Sequence, residues 1–262
     1  VTSSENIGIE NRGGYYETAG ALRDMVQSHL LRLVTLIAME PPSSFDSDAV
    51  RNEQLKVLQS LRKLKPEEVD ANVIRGQYIN STINGKAVKG YREETNVNPE
   101  SRVETYAAIK FYIDNWRWGG VPFYIRTGKH LPTRVTEAVI HFRKTPHYLF
   151  KESQNNSDNQ LILRIQPDEG ILLKFGMKEP GAGFKVHNVN MDFHYKDISH
   201  VHIPEAYERL IYDCMIGDST LFLRADAVEE AWKFVEPIQK AWADDHKVKI
   251  YGYPAGTWGP DV

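Results

Sequence analysis

Acid–base chemistry in this chain can be sought first in the string DMVQSH, which ends at His29. Leu22, Val26, His29, Leu33 and Ile37 fall at the three-and-four spacing of one α-helical face, which turns the imidazole toward the interior. A neutral imidazole ordinarily titrates near ~6.5 and can take a proton at neutral pH, so His29 is a candidate general base. From position alone, a core histidine bonded to a backbone carbonyl is the reading the residue types favour. Asp24 stands five residues earlier, roughly 140° around an α-helix at ~100° per residue, so the two would line different walls of one pocket. The second constellation is RTGKHLPTR, where Arg126, Lys129 and Arg134 surround Gly128. Such cations can meet a phosphate or sugar hydroxyls, with the glycine allowing close backbone approach, although composition alone also suits a basic surface turn. Arg164 and Lys174 read as solvated sheet edges.

Several chemistries lack their residues. No GxGxxG follows a strand, no GxxxxGK[ST] occurs, and Gly181-Ala182-Gly183 precedes a strand rather than a helix. There is no HExxH, and the single cysteine cannot begin a zinc site, so no metal is expected. Any hydride chemistry would borrow its cofactor site from elsewhere. Cys214 has no partner for an internal disulfide; it is read as a small buried helix residue in a cytoplasmic protein.

Helices must position the first constellation and strands the second. Apolar spacing predicts one helix over residues 15–40, closed by Pro41 and Pro42, and a second from Asp46 or Ser47 to about Arg62, with Lys65-Pro66 ending it. Two-residue alternation then predicts strands at 103–113, 121–127, 134–142, 160–165, 170–175 and 189–195. The short spacers make their pairing antiparallel. Asn84-Gly85 marks a hairpin turn, and residues 153–159 a mobile loop. Closing helices are expected near 205–215 and 227–243, the latter kinked at Pro237, before a tail too rich in Gly and Pro for helix or strand. The expected fold is α+β: a large, mostly antiparallel β-sheet with helices packed on one face, in a single domain over 1–262. Its helical part covers about 15–70, its sheet about 72–200 and its closing helices about 205–245.

At 262 residues the chain can bury a sizeable core, and a net charge of −3 offers no basic field for nucleic acid. No stretch approaches the ~18 apolar residues of a membrane-spanning helix. The opening VTSSENIGIE has no initiator Met and no signal-like run, and suggests a beginning inside a longer protein. Apolar residues on both strand faces, such as Leu172 and Ile162 beside Leu173 and Leu163, suggest that a second copy covers the sheet in a homodimer.

Six ordered segments carry a resemblance: GYYETAGALRDMVQSHLLRLVTLIAMEPP, ETYAAIKFYIDNWRWGGVPFYIRTGKHL, LILRIQPDEGI, PEAYERLIYDCMIGDSTLF, EEAWKFVEPI and AGTWGP. Together they resemble the carboxy-terminal domain of bacterial-type glucose-6-phosphate dehydrogenases over nearly the whole chain. The resemblance implies that His29 is the base that deprotonates the C1 hydroxyl of glucose 6-phosphate as C1 gives its hydride to NADP, forming the 6-phospho-lactone in the first step of the pentose phosphate pathway. It implies sugar contacts from Glu5, Asp24, Lys129, Arg134 and Gln166, and an approach of Arg126 to the coenzyme. It also implies that the coenzyme domain, and a RIDHYLGKE segment that orients the base and grips the phosphate, belong before Val1. An isolated domain is then expected to be inactive. Some animal members hold a second, structural NADP, but Leu172, Val135 and Val139 do not resemble its ligands, and none is assigned. The rival readings are a non-catalytic sugar-phosphate-binding or dimerisation module, and an unrelated isomerase using His29 with Asp24.

Overall fold

The computed structural model describes residues 1–143, 159–181, 183, 185–197, 206–244 and 248–262. They group into two compact units, one from Val1–Arg134 with Pro204–Val262 and one from Val135–Ile203. The class is α+β, as expected. The polar residues 153–158, read from the sequence as loop, lie outside the described residues.

The first unit opens with strand β1 (Thr2–Ser4) and helix α1 (Gly13–Ala21), continued by a π-helical segment (Leu22–Leu30) and helix α2 (Leu31–Ala38). The single helix expected over 15–40 is thus three pieces. Gly20 makes the first break, with φ 63° and ψ 173°, a backbone region open almost only to glycine. Helix α3 (Ser47–Gln59) is capped by Asp46, whose carboxylate accepts the Ala49 N–H at 2.9 Å. It stops short of Arg62. Pro66 opens a further helix, α4 (Pro66–Asn72), rather than ending one, because the first helical position needs no N–H.

Strand β2 (Val73–Ile79) leads into a hairpin of β3 (Ser81–Ile83) and β4 (Lys86–Val88), with Asn84 and Gly85 at φ 51° and 78° as a two-residue turn requires. Then come β5 (Tyr106–Tyr112) and β6 (Pro122–Gly128), paired antiparallel as expected. The second unit holds β7 (Val135–His141), β8 (Gln160–Gln166), β9 (Gly170–Lys178) and β10 (Val186–His194), an antiparallel set paired in sequence order. Helix α5 (Ala206–Ile216), helix α6 (Ala225–Asp244), which contains Pro237, and strand β11 (Tyr251–Pro254) return to the first unit. The tail is therefore not without structure. Residues YGYP pair parallel with β2 at a sheet edge, where a terminal proline deprives no neighbour of a ladder bond.

Within the first unit the strand order is β1-β6-β5-β2-β11, with parallel pairs at both ends and antiparallel pairs between. Alternation divides its strands between two cores. Val73, Ala107, Ile109, Phe111 and Ile125 face one cluster with Leu22, Val26, Leu30 and Val34 from the first helices and Phe234, Val235 and Ile238 from α6. Tyr106 lies in the other cluster, with Tyr16, Tyr78, Tyr91, Leu131 and Tyr253. Aromatic side chains thus cover the second face, with Tyr16 and Tyr91 edge-on at 6.1 Å and Tyr78 and Tyr91 at 5.8 Å. Cys214 lies exposed on α5, contrary to its expected burial, and the adjacent Asp213 is the buried residue there, paired with Arg209 on the same helix.

Candidate active site

Parallel pairing of β1 with β6 continues beyond the strands and fixes the lysine turn. Glu5 N–H donates to Gly128 O at 3.1 Å, Leu131 N–H to Glu5 O at 2.9 Å, and His130 N–H to Ile7 O at 3.0 Å. Lys129 sits in this zipper and is 2% exposed. A buried ammonium requires a counter-charge, and the Glu5 carboxylate supplies it as a direct ion pair. The ammonium also stands 5.6 Å over the Tyr16 ring. Its own backbone is held by Thr105 O, which accepts the Lys129 N–H at 2.9 Å, and by the Tyr253 hydroxyl, which donates to Lys129 O at 2.7 Å. Lys129 is therefore no surface-turn cation.

Asp24 and His29 ride on the π-helical segment, which packs against β1 and β6. Here the winding corrects the α-helical reading of the sequence. The Leu31 N–H bonds Val26 O, five residues back, so each turn takes up more residues than in an α-helix. Burial follows Leu22, Val26, Leu30 and Val34, and His29 is swung out of the core to an exposed position. The wider winding brings Asp24 and His29 closer together around the helix axis than α-helical geometry allows. Half-buried Asp24 accepts the Tyr15 hydroxyl at 3.0 Å, and that bond, with the carboxylate's charge, raises the Tyr15 pKa.

Tyr16 joins the two halves of this arrangement. Its hydroxyl is buried without a hydrogen-bond partner among the described residues. Burial, followed by the charges of Glu104 and Asp24 and, more weakly, Glu5, pushes its pKa well up. Three carboxylates and one ammonium therefore lie within electrostatic reach of one ring. Glu104 itself is buried, which raises its pKa against the hydrogen bond it accepts from Leu22 N–H at 2.9 Å.

Among the residues read from the sequence, Glu5 and Lys129 touch, and Asp24 and His29 lie on the neighbouring π-helical segment. Arg126 is half-buried on β6 with its guanidinium 4.9 Å over the Trp258 ring. Arg134 is exposed five residues beyond Lys129. Gln166 is exposed at the end of β8, in the second unit. Sequence reading missed Tyr15, Tyr16 and Glu104. Adjacent tyrosines before a glycine-broken helix were the available signal for the first two, and nothing local marked the third. Two cavities of about 360 and 300 Å³ open elsewhere in the first unit, and neither is lined by Glu5, His29 or Lys129. Among the described residues no cluster of three or more His, Cys, Asp or Glu could hold a metal ion, and no helix is long and apolar enough to cross a membrane.

His130 gives the turn a pH response. Its φ of 49° is left-handed, its ring packs edge-on against Tyr78 at 4.7 Å, and its Nδ1 is buried without a hydrogen-bond partner among the described residues. Burial lowers its pKa from the usual 6.5. The fold thus disfavours the protonated ring, so its stabilisation is present above that pH and is lost as pH falls through the depressed value. In urea titrations at pH 8, 6 and 5 the chain is expected to lose midpoint on acidification, and His130→Asn, which tolerates the left-handed backbone, to lose less. Parallel losses would exclude this histidine as a contributor.

These features define an α+β domain in which a helical histidine and carboxylate stand beside a buried lysine–carboxylate pair, with no dinucleotide fold among the described residues. The family model described as glucose-6-phosphate dehydrogenase, C-terminal domain, matches residues 1–262, and the chain belongs to that family. It is 54% identical over 260 residues to the glucose-6-phosphate 1-dehydrogenase of Aggregatibacter actinomycetemcomitans, covering 99% of this chain and 52% of that protein. With the Treponema pallidum enzyme the identity is 52% over 263 residues, covering 99% and 51%. A solved glucose-6-phosphate dehydrogenase in complex with its substrate glucose-6-phosphate superimposes with a TM-score of 0.90 at 36% identity, over 100% of this chain and 52% of that one. The Mycobacterium avium enzyme gives 0.81 at 37% identity, over 99% and 51%. The chain spans about half the length of the relatives it matches.

Proposed function

We propose that this chain supplies the general base and much of the sugar site of a glucose-6-phosphate dehydrogenase, which oxidises glucose 6-phosphate to the 6-phospho-lactone at the entry to the pentose phosphate pathway. The observation that carries the reading is the buried Lys129–Glu5 pair, held on a turn beside the helical segment that bears Asp24 and His29. His29, exposed on that segment, is positioned to take the C1 hydroxyl proton. Glu5 and Asp24 are the acceptors for sugar hydroxyls, and Lys129, paired with Glu5, is the donor. Arg134, exposed past the turn, is assigned to the substrate as well. For Gln166 the assignment rests on its RIQP motif alone.

The described residues do not fit a coenzyme site of their own. No strand runs through a glycine-rich turn into a helix N-terminus, and the Arg126 guanidinium already lies on Trp258. NADP, the hydride acceptor, is therefore assigned to an amino-terminal half like that of the relatives, with Arg126 at most approaching it. Homodimerisation through the second unit's sheet is proposed on the half-buried Leu161, Leu163, Leu172 and Leu173 of β8 and β9. A cytoplasmic location fits a sugar phosphate as substrate.

The test is to assay NADPH formation from glucose 6-phosphate with the chain alone and with the chain fused behind the amino-terminal half of the Aggregatibacter enzyme. The fusion is expected to turn over and the isolated chain not, because it lacks positioning and electrostatic assistance each worth several kcal/mol, or roughly 10²–10³ in rate. Turnover by the isolated chain would refute the division of labour. A fusion that folds, binds NADP and leaves glucose 6-phosphate unoxidised would favour a non-catalytic binding or dimerisation module.

A further inference from the structure

We infer that Glu104 is a positioning residue of the sugar site, setting the helical segment that carries Asp24 and His29 in place relative to the turn that carries Lys129. The inference rests on the reading of those three residues as the sugar site. Its origin is the break at Gly20. Because the backbone there is non-helical, the segment beyond it starts afresh, and its first amides have no carbonyl of the preceding turn to bond. Glu104 meets two of them in succession. Its backbone O accepts the Ala21 N–H at 2.9 Å and its side-chain Oε1 accepts the Leu22 N–H at 2.9 Å. The carboxylate is 7% exposed and fills the space beside Gly20 that a side chain would otherwise occupy.

The next residue completes the device. Thr105 N–H donates to Gly76 O at 2.8 Å, which fixes the dipeptide to β2, and Thr105 O accepts the Lys129 N–H at 2.9 Å. The Tyr253 hydroxyl lies 3.1 Å from Thr105 Oγ1 and donates to Lys129 O at 2.7 Å, so the lysine is gripped from both sides of its peptide. Two consecutive residues thus hold the start of the Asp24–His29 segment and the backbone of Lys129. The distance between the sugar-binding acid and the sugar-binding lysine is set by one dipeptide just ahead of β5. If Glu104 merely supported the fold, its loss would reduce the fraction of folded enzyme and scale kcat, leaving KM alone. A positioning role moves KM for the sugar phosphate.

The experiment uses the fusion described above, with Glu104→Ala, Glu104→Asp and Glu104→Gln. Glu104→Ala is expected to raise KM for glucose 6-phosphate about tenfold or more while KM for NADP stays within about twofold. Glu104→Asp, whose shorter chain withdraws the acceptor from Leu22 N–H, should raise it by a smaller factor. Glu104→Gln keeps an oxygen at that position and should return KM to within about threefold of the parent. Amide exchange of residues 21–24 should speed about tenfold in the Ala variant and be restored in the Gln variant. The Asp variant serves if the Ala variant does not fold. An unchanged sugar-phosphate KM in folded Ala or Asp protein, or a Gln variant as impaired as Ala, would overturn the inference. Absence of turnover in the unsubstituted fusion would instead strike the proposed function, and the exchange measurement would still decide: protection of residues 21–24 that survives loss of Glu104 refutes the positioning role.

Discussion

His29→Asn in the enzyme completed by an amino-terminal half is expected to lower kcat by about 10²- to 10⁴-fold, with KM for glucose 6-phosphate changing less than about tenfold. Asparagine preserves a polar side chain of similar reach but cannot accept and hold a proton at neutral pH. The substitution should be nearly silent for stability, because the imidazole is exposed and no core contact is lost. Those two expectations separate the catalytic histidine from the core histidine that α-helical periodicity also allowed. A core residue would cost stability and spare kcat in the folded fraction. Steady-state kinetics and a urea titration on the same preparation make the distinction, and near-normal turnover would remove His29 from the role of base.

The π winding that exposes His29 also marks the limit of what the sequence could disclose. Alternation made β5, β6 and β8 legible, and in β5 it corresponds to faces divided between two environments. The Asn84-Gly85 turn was legible because its left-handed backbone is a local demand. Strands β1, β2 and β11 were not. Two are short and depend on parallel partners distant in sequence, and β2 carries Gly76 at its centre. That glycine looks like a breaker, yet a Cβ there would meet Pro260 at 2.9 Å and Tyr251 O at 3.0 Å. The facing of His29 was misread for the same kind of reason. The π-helical segment that carries it follows a break at residue 20 held by a carboxylate 82 positions from Leu22, and no window along the chain contains both. In the candidate site, residue types that carry chemistry were visible as motifs, whereas the residues that hold them, Tyr15, Tyr16 and Glu104, act through contacts that only folding creates.

Gly20→Ala should be among the most destabilising single-methyl additions in the first unit, at about 2–6 kcal/mol. Two costs combine. An L-residue at φ 63° and ψ 173° bears strain of about 1–3 kcal/mol. The added Cβ would also lie 2.5 Å from Glu104 Oε1, so the carboxylate must swing away and leave the buried Leu22 N–H without its acceptor, at a further cost of about 1–3 kcal/mol. Only the second cost depends on Glu104, which makes the pair separable by a double-mutant cycle. In a Glu104→Ala background the clash is gone and the amide is already orphaned, so Gly20→Ala should cost only the backbone strain. Urea unfolding of the two single variants and the double variant would show a sub-additive sum, with a coupling of about 1–3 kcal/mol. Strict additivity would mean that the glycine serves the backbone alone, and that Glu104 and the break at residue 20 are independent features of the helix that carries Asp24 and His29.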